Sequence, residues 1–187
     1  MYSTSDIRKN LKIEIDGVPY MVVDFQFVKP GKGNAFTRTR LKNMMTGAVI
    51  DRTYKTGEKL KRAQLEEMNM QYLYTDGSTY HFMNNQNYEQ VEIDVDHVGS
   101  AANYLTENLN VSILYFREKP IGITPPFTVE LQVVETEPGV KGNTATGATK
   151  AAKTQTGAVF QVPLFIKEGE KIVVDTRTGE YLERAKG

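Results

Sequence analysis

The stretch Val28–Phe36 reads Val-Lys-Pro-Gly-Lys-Gly-Asn-Ala-Phe and joins two segments with β-strand patterns. An apolar run precedes it and an alternating run follows it, so the nine residues are predicted to form the tip of a hairpin. Pro30 fixes φ, while Gly31 and Gly33 tolerate the positive φ of a tight reversal. Lys32 is therefore predicted to present an unshielded primary amine at the apex. An ordinary hairpin with a solvated lysine is the alternative.

The strand that follows this tip has cations on one side. Period-two alternation places Phe36, Arg38, Arg40 and Lys42 on one face, and Thr37, Thr39 and Leu41 on the other. One aromatic ring and three cations in a row are suited to following a phosphate backbone. The face is therefore a candidate for RNA binding, with an ordinary solvated face as the alternative.

Three further hairpins are predicted from turn dipeptides between strand-like runs. They are Asp16-Gly17, Asp76-Gly77 and Thr178-Gly179. Their spread along the chain favours several small barrels over one large sheet. Helical spacing is found only between Asp96 and Leu109, where Asp96 is predicted to cap the helix.

The formal net charge is zero, but the charges are distributed unevenly. Residues 1–62 hold 13 Lys and Arg against 6 Asp and Glu, residues 63–126 hold 2 against 9, and residues 127–187 hold 8 against 8. A basic first third is typical of a protein that binds a polyanion. The acidic middle third is predicted to make the fewest RNA contacts, acting as a spacer or meeting a basic protein. An ordinary solvated acidic surface is the alternative.

Composition also suggests where the chain divides. Basic residues stop at Arg62, and Pro125-Pro126 interrupts the chain, which predicts three domains at 1–62, 63–126 and 127–187. Each would be small, with a marginal core of its own. The low-complexity segment 139–157 carries three lysines and no acid, and is predicted to be a mobile or ligand-ordered loop.

Several classes of chemistry find no support in the sequence. There is no cysteine, and His81 and His97 lack a metal-binding context, so no metal site and no cofactor are predicted. The glycine spacing of 142–147 suits a phosphate loop, but Ala148 stands where its lysine should be. A Schiff-base role for Lys32 would need a desolvating pocket, which a hairpin tip does not offer. We therefore expect no enzyme. The lack of a leader or spanning segment predicts a cytoplasmic protein without a membrane partner.

The residues resemble those of the bacterial translation elongation factor P family along nearly the whole chain. The motifs that carry the resemblance are Phe27–Phe36, Met70–Tyr74, His81–Met83, Val129–Gly142, Thr156–Ile166 and Val174–Tyr181. The family implies an all-β fold of three small barrels with an L shape. The first is SH3-like and the other two resemble oligonucleotide-binding barrels, and one short helix is expected in the middle domain. A monomer is expected.

The resemblance also implies a function and partners. The expected partners are the ribosome, with its RNA and proteins, and the peptidyl-tRNA beside which the factor binds between the peptidyl and exit sites. There it would relieve stalling at consecutive prolines. Lys32 matches the lysine that the family extends covalently, so a Lys32-modifying enzyme is a further partner. The sequence does not identify the group that is attached.

The resemblance suggests further RNA contacts on either side of the tip and in the third domain. Lys29 and Asn34 are candidates beside Lys32, and Gly142-Asn143-Thr144 matches a Gly-Asp-Thr loop near the exit-site codon of the mRNA. Asn143 keeps an acceptor but loses the charge of the usual aspartate. Phe160 also stands where a smaller aliphatic residue is expected. The alternative function is a general RNA-binding barrel protein in which Lys32 is incidental.

Overall fold

A computed structural model describes residues 1–138 and 147–186 of the chain. Those residues form almost entirely β-structure, in one six-stranded and two five-stranded sheets with barrel-like curling. The predicted all-β fold class is confirmed. No helix in the described part of the chain is long and apolar enough to cross a bilayer.

The first sheet contains the lysine-tipped hairpin and has the strand order β1-β6-β2-β3-β4-β5. Its strands are β1 (Tyr2–Ser3), β2 (Lys12–Ile15), β3 (Val18–Val28), β4 (Phe36–Asn43), β5 (Val49–Lys55) and β6 (Lys59–Arg62). A 3-10 turn spans Thr4–Asp6. The predicted Asp16-Gly17 turn joins β2 to β3, with both residues at positive φ.

Alternation along the strands builds the core of this sheet. Along β4 every second residue is buried, and the side chains that fill the core are apolar or aromatic. They are Ile7, Ile13, Val22, Leu41, Tyr54 and Leu60. A bulge between Val22 and Asp24 shifts the β3–β4 register.

The second and third sheets have the orders β11-β10-β7-β8-β9 and β14-β13-β12-β15-β16. The second contains β7 (Leu65–Thr75), β8 (Thr79–Asn84), β9 (Gln90–Asp94), β10 (Asn110–Phe116) and β11 (Lys119–Thr124). The third contains β12 (Thr128–Thr136), β13 (Thr149–Thr154), β14 (Val159–Pro163), β15 (Lys171–Asp175) and β16 (Glu180–Arg184). The predicted Asp76-Gly77 and Thr178-Gly179 hairpins are confirmed as the β7–β8 and β15–β16 connections.

The predicted helix over 96–109 is wrong in length and in its cap. The α-helix α1 spans only Val95–Val98, and a 3-10 helix continues it over Gly99–Tyr104. Asp94, not Asp96, caps α1 by accepting the N–H of His97 at 2.8 Å. The α-helix stops because Gly99 adopts a φ of 57°, outside helical space.

The apolar spacing that suggested a longer helix partly serves another purpose. Tyr104 is buried and Leu109 is half-buried against the core of the third sheet. Phe160 lies in the same core, with its ring centroid 6.0 Å from that of Tyr104. Thr156 also donates its hydroxyl to the carbonyl of Asn103 at 2.8 Å. The 3-10 helix is therefore joined to the third sheet by packing and by a hydrogen bond.

The prediction that 139–157 is a loop is wrong for part of that segment. Residues 149–154 form β13 in the interior of the third sheet, and Lys150, Ala152 and Thr154 alternate inward. Composition alone suggested a loop because alanine, threonine and lysine are all common in low-complexity segments. Residues 139–146 lie outside the described residues.

The described chain divides into two compact units, Met1–Glu66 with Tyr115–Ile121 and Glu67–Leu114 with Gly122–Gly187. Within the first unit, the buried carboxylate of Glu14 accepts two hydrogen bonds from Arg117 Nη2 at 2.8 and 2.9 Å. Lys61 Nζ pairs with it at 2.7 Å. The Lys61 hydrogen bond and the Arg117 charge lower the pKa of Glu14, although burial opposes them. The predicted domain boundaries at residues 62 and 126 stay predictions.

Candidate RNA-binding hairpin

The loop between β3 and β4 spans residues 29–35 and presents Lys32 to solvent. The last paired residues on either side are Val28 and Phe36, which lie opposite each other in the register. Lys29, Gly31, Lys32, Gly33 and Asn34 are all exposed, whereas Pro30 is half-buried. The Lys32 amine is therefore available to a large partner.

Only one of the two loop glycines needs its conformational freedom. Gly33 has a φ of 98°, which side chains rarely adopt, whereas Gly31 does not lie in the positive-φ region. Of the two glycines that could tolerate a positive φ, Gly33 therefore adopts one and Gly31 does not. A Cβ at either glycine would meet no atom within 4 Å, so neither position is restricted by space.

The loop is attached to the sheet on its β4 side. The carbonyl of Ala35 accepts the backbone N–H of Thr56 at 3.1 Å and the Thr56 hydroxyl at 3.0 Å. Two hydrogen bonds to one carbonyl hold the end of the loop against the chain that follows β5. The apex itself extends beyond this attachment.

The predicted cationic face of β4 is confirmed by burial. Arg38, Arg40 and Lys42 are exposed, whereas Thr37, Thr39 and Leu41 are buried. The guanidinium carbon of Arg38 lies 5.4 Å from the centroid of the half-buried Phe36 ring. This contact keeps the Arg38 stem against the sheet while its charge stays in water.

The cations of this face are not equally available. Arg40 Nε donates to Asp51 Oδ1 at 3.1 Å on the neighbouring strand, and both side chains are mostly exposed. Such an exposed pair is worth only about 0.2–1 kcal/mol, so a phosphate can compete for Arg40. Lys55 lies opposite Phe36 in the β4–β5 register and extends the cationic face. The sequence analysis missed Lys55, because its place on this face follows from strand pairing rather than from β4 alone.

The other face of the same hairpin has a different character. Phe25 and Phe27 lie opposite the buried Thr39 and Thr37, yet the two rings are 37% and 60% exposed. Tyr54 closes the row on β5, and burial raises the pKa of its hydroxyl, which stays neutral near pH 7. Sequence analysis treated the run containing Phe25 and Phe27 only as an apolar strand.

The candidate RNA-binding residues fall into two groups. Lys29, Lys32, Asn34 and the β4 cations belong to one hairpin of the first sheet. Gly142, Asn143 and Thr144 lie outside the described residues, so their proposed contact with the exit-site codon stays a prediction.

Family models cover this fold from end to end. The Elongation factor P (EF-P) KOW-like domain matches residues 3–60, the Elongation factor P (EF-P) OB domain matches 65–123, and the Elongation factor P, C-terminal model matches 129–184. The three matches together define a translation elongation factor.

Individual relatives identify the family. Elongation factor P of Moorella thermoacetica is 55% identical over 185 residues, covering 99% of this chain and 100% of that protein. Elongation factor P 2 of Geobacter sulfurreducens is 53% identical over 187 residues, covering 100% of both chains. The chain belongs to the elongation factor P family, and the resemblance seen in its motifs is confirmed.

A solved structure gives an independent comparison of the fold. The structure of eukaryotic translation initiation factor 5A from Methanococcus jannaschii has a TM-score of 0.56 to this chain at 22% identity. The likeness covers 66% of this chain and 93% of that chain. At this identity it shows the fold alone.

Proposed function

We propose that this elongation factor binds the ribosome between the peptidyl and exit sites and promotes peptide bond formation at consecutive prolines. Its expected contact is the end of the peptidyl-tRNA, reached by the loop that carries Lys32. The observation that carries the proposal is the exposed Lys32 at the apex of a seven-residue loop, on a hairpin with a cationic face. Membership of the family supports the coarser role in elongation.

The hairpin suits a positioning role better than a chemical one. An exposed lysine beside two glycines lacks the enclosed surroundings that activate a lysine as nucleophile. It can still contact the phosphates and terminal nucleotides of a tRNA, because the apex between Gly31 and Gly33 carries one long side chain. Arg38 and Lys42 would hold the RNA backbone while Lys32 extends along it.

Positioning alone is a sufficient physical mechanism. Proline reacts poorly as an acceptor and strains the nascent chain, so a factor that holds the tRNA end in reactive geometry accelerates the step. Favourable orientation contributes up to about 7–11 kcal/mol in intramolecular systems. Each ~1.4 kcal/mol captured is tenfold in rate. The ribosome remains the catalyst, and the factor needs no cofactor.

We further propose that Lys32 carries a covalent extension in the cell. A longer side chain with additional hydrogen-bonding groups would increase the reach of the loop along the tRNA. Intact mass measurement of protein purified from its own cells tests this directly. A mass equal to that of the unmodified sequence would contradict the extension.

Lys32→Ala tests the function. In a reconstituted translation system with a Pro-Pro-Pro reporter, the variant should fail to relieve stalling, because it removes the only side chain that projects from the apex between Gly31 and Gly33. Lys153→Ala is the matched control, since Lys153 is an equally charged and exposed residue on β13 of the third sheet. Unchanged rescue by Lys32→Ala would contradict the mechanism.

The cationic face of β4 favours a second candidate function, general RNA binding in which Lys32 is incidental. That function predicts weaker binding of arbitrary single strands by an Arg38→Ala/Arg40→Ala variant and little effect of Lys32→Ala. It also predicts similar, strongly salt-dependent affinities for unrelated RNA sequences. Titration of both variants with two unrelated oligonucleotides at several salt concentrations distinguishes the two candidates.

A further inference from the structure

The hairpin has an open strand edge close to Lys32. On one side of β3, β2 pairs with Val18–Met21, and backbone hydrogen bonds to Asn10 and Leu11 continue as far as Val22. Beyond Val22, in residues 1–138 and 147–186, no strand pairs with this side of β3, while β4 covers the other side to Val28. One backbone donor of the segment, the N–H of Phe25, is satisfied locally by Asp24 Oδ1 at 3.0 Å.

Two phenyl rings lie beside this open edge. Phe25 and Phe27 are two residues apart on a strand and therefore project from the same face. In the body of the sheet that face is fully buried, since Val22 and Leu41 are both 0% exposed. The face continues past the core and ends in rings that are 37% and 60% exposed. We call Phe25, Phe27 and the open edge of residues 24–28 the phenylalanine face.

We propose that the phenylalanine face is the docking surface for the enzyme that extends Lys32. The inference rests on the proposed covalent extension. Such an enzyme must select one of 15 lysines, and the loop around Lys32 offers little besides small residues. The phenylalanine face lies on the same hairpin, and Phe27 is within about 17 Å of Lys32 along the chain, at about 3.3 Å per residue.

The chemistry of the face favours a protein over a nucleic acid. The cations of the hairpin that suit phosphates, Arg38, Arg40 and Lys42, project from the opposite side of β4. An open strand edge can accept an extended polypeptide segment through backbone hydrogen bonds, with alternate side chains held in apolar contacts. Arg52 lies in the same row as Phe25 and Thr39, and offers a guanidinium to a carboxylate of the partner.

Docking leaves Lys32 free to react in the partner's active site. The new bond joins Lys32 Nζ to a carbon electrophile that carries a leaving group, supplied by the enzyme as an activated donor. The nitrogen lone pair forms the bond, the leaving group departs with its bonding electrons, and Nζ gives up one proton to a base of the enzyme. No oxidant or reductant is required.

The test uses unmodified full-length protein made in a host that does not modify it. The protein is incubated with an extract of the source organism, and intact mass is followed over time. Phe27→Ser should slow modification about thirtyfold, the effect of losing one interface hot spot. Phe27→Leu should stay close to wild type because it keeps an apolar side chain. Phe127→Ser is the matched control, since Phe127, which immediately precedes β12, is 64% exposed.

Each outcome has a distinct meaning. If the wild type gains no mass, the proposed covalent extension is wrong, and the proposed docking surface is wrong as well. If the wild type gains mass and Phe27→Ser gains it at the same rate, only the docking surface is overturned. Normal modification of Phe27→Ser together with lost affinity for single-stranded RNA would assign the face to nucleic acid. Phe25→Ser provides a second variant, and circular dichroism verifies that each variant is folded.

Discussion

Truncation of Phe160 is expected to destabilise the 3-10 helix Gly99–Tyr104 as well as β14, the strand that contains Phe160. Phe160 is 5% exposed in a core formed by ten buried residues, and its ring lies 6.0 Å from that of Tyr104. Phe160→Ala should lower the free energy of unfolding by about 3–5 kcal/mol, as large-to-small changes do in packed cores. Because Tyr104 ends the 3-10 helix, this helix should lose stability as well.

A double-mutant cycle measures the contact between the two rings. Tyr104→Leu and Phe160→Leu keep most of the apolar volume, and the double variant completes the cycle. The coupling free energy should be about 0.5–1.5 kcal/mol, the contribution of an aromatic pair beyond its buried area. Urea denaturation followed by circular dichroism gives the four stabilities, and hydrogen exchange reports on the amides of Asn103 and Leu105 separately.

Two results would refute this reasoning. A coupling free energy near zero would show that the rings do not pack on each other. Unchanged exchange at Asn103 and Leu105 in Phe160→Ala would show that the 3-10 helix does not depend on the third sheet. The hydrogen bond from Thr156 to Asn103 makes the second result unexpected.

Two other predictions follow from local geometry. Gly33→Ala should weaken relief of stalling and destabilise the loop by about 1–2 kcal/mol, because the φ of 98° at position 33 is costly for an L-residue. Gly31→Ala is the control and should be neutral. Equal effects of the two substitutions in the reporter assay and in thermal denaturation would contradict the prediction. Hydrogen bonds from Thr79 and Ser78 hold the pKa of Asp76 well below its ordinary value. The ionised Asp76 carboxylate therefore stabilises the folded protein above about pH 4, and this stabilisation is lost as the pH falls. Asp76→Asn should flatten the dependence of the urea midpoint on pH between about 5 and 2. Parallel curves for the wild type and the variant would contradict the prediction.

Strand periodicity was the most informative part of the sequence. The alternation of β4 placed Arg38 and Arg40 correctly, because a period of two leaves no choice once one face is buried. The hairpin dipeptides were equally reliable, since Asp16-Gly17 can adopt the positive φ values that a two-residue turn needs. The fold class could be predicted from these signals together.

Features that depend on neighbouring strands could not be predicted. Nothing in the sequence of β3 shows that β2 is too short to cover Phe25 and Phe27. The same applies to Lys55, whose place on the cationic face is set by its pairing with Phe36. The helix was overestimated because Leu109, which completed the helical spacing, is apolar for contact with the third sheet. The sequence of one segment does not reveal which core its apolar residues join.

The ion pair between Arg117 and Glu14 limits how the β10–β11 turn can be altered. Arg117 and Glu118 both adopt positive φ, 49° and 68°, where Asn-Gly would be the more favourable pair for a two-residue hairpin. An engineer who installed Asn-Gly there would relieve backbone strain but remove the guanidinium from the buried carboxylate of Glu14. Lys61 would then be the remaining cation beside the Glu14 carboxylate. Because a buried charge that loses a partner is destabilising, a redesign of this turn has to replace Glu14 at the same time.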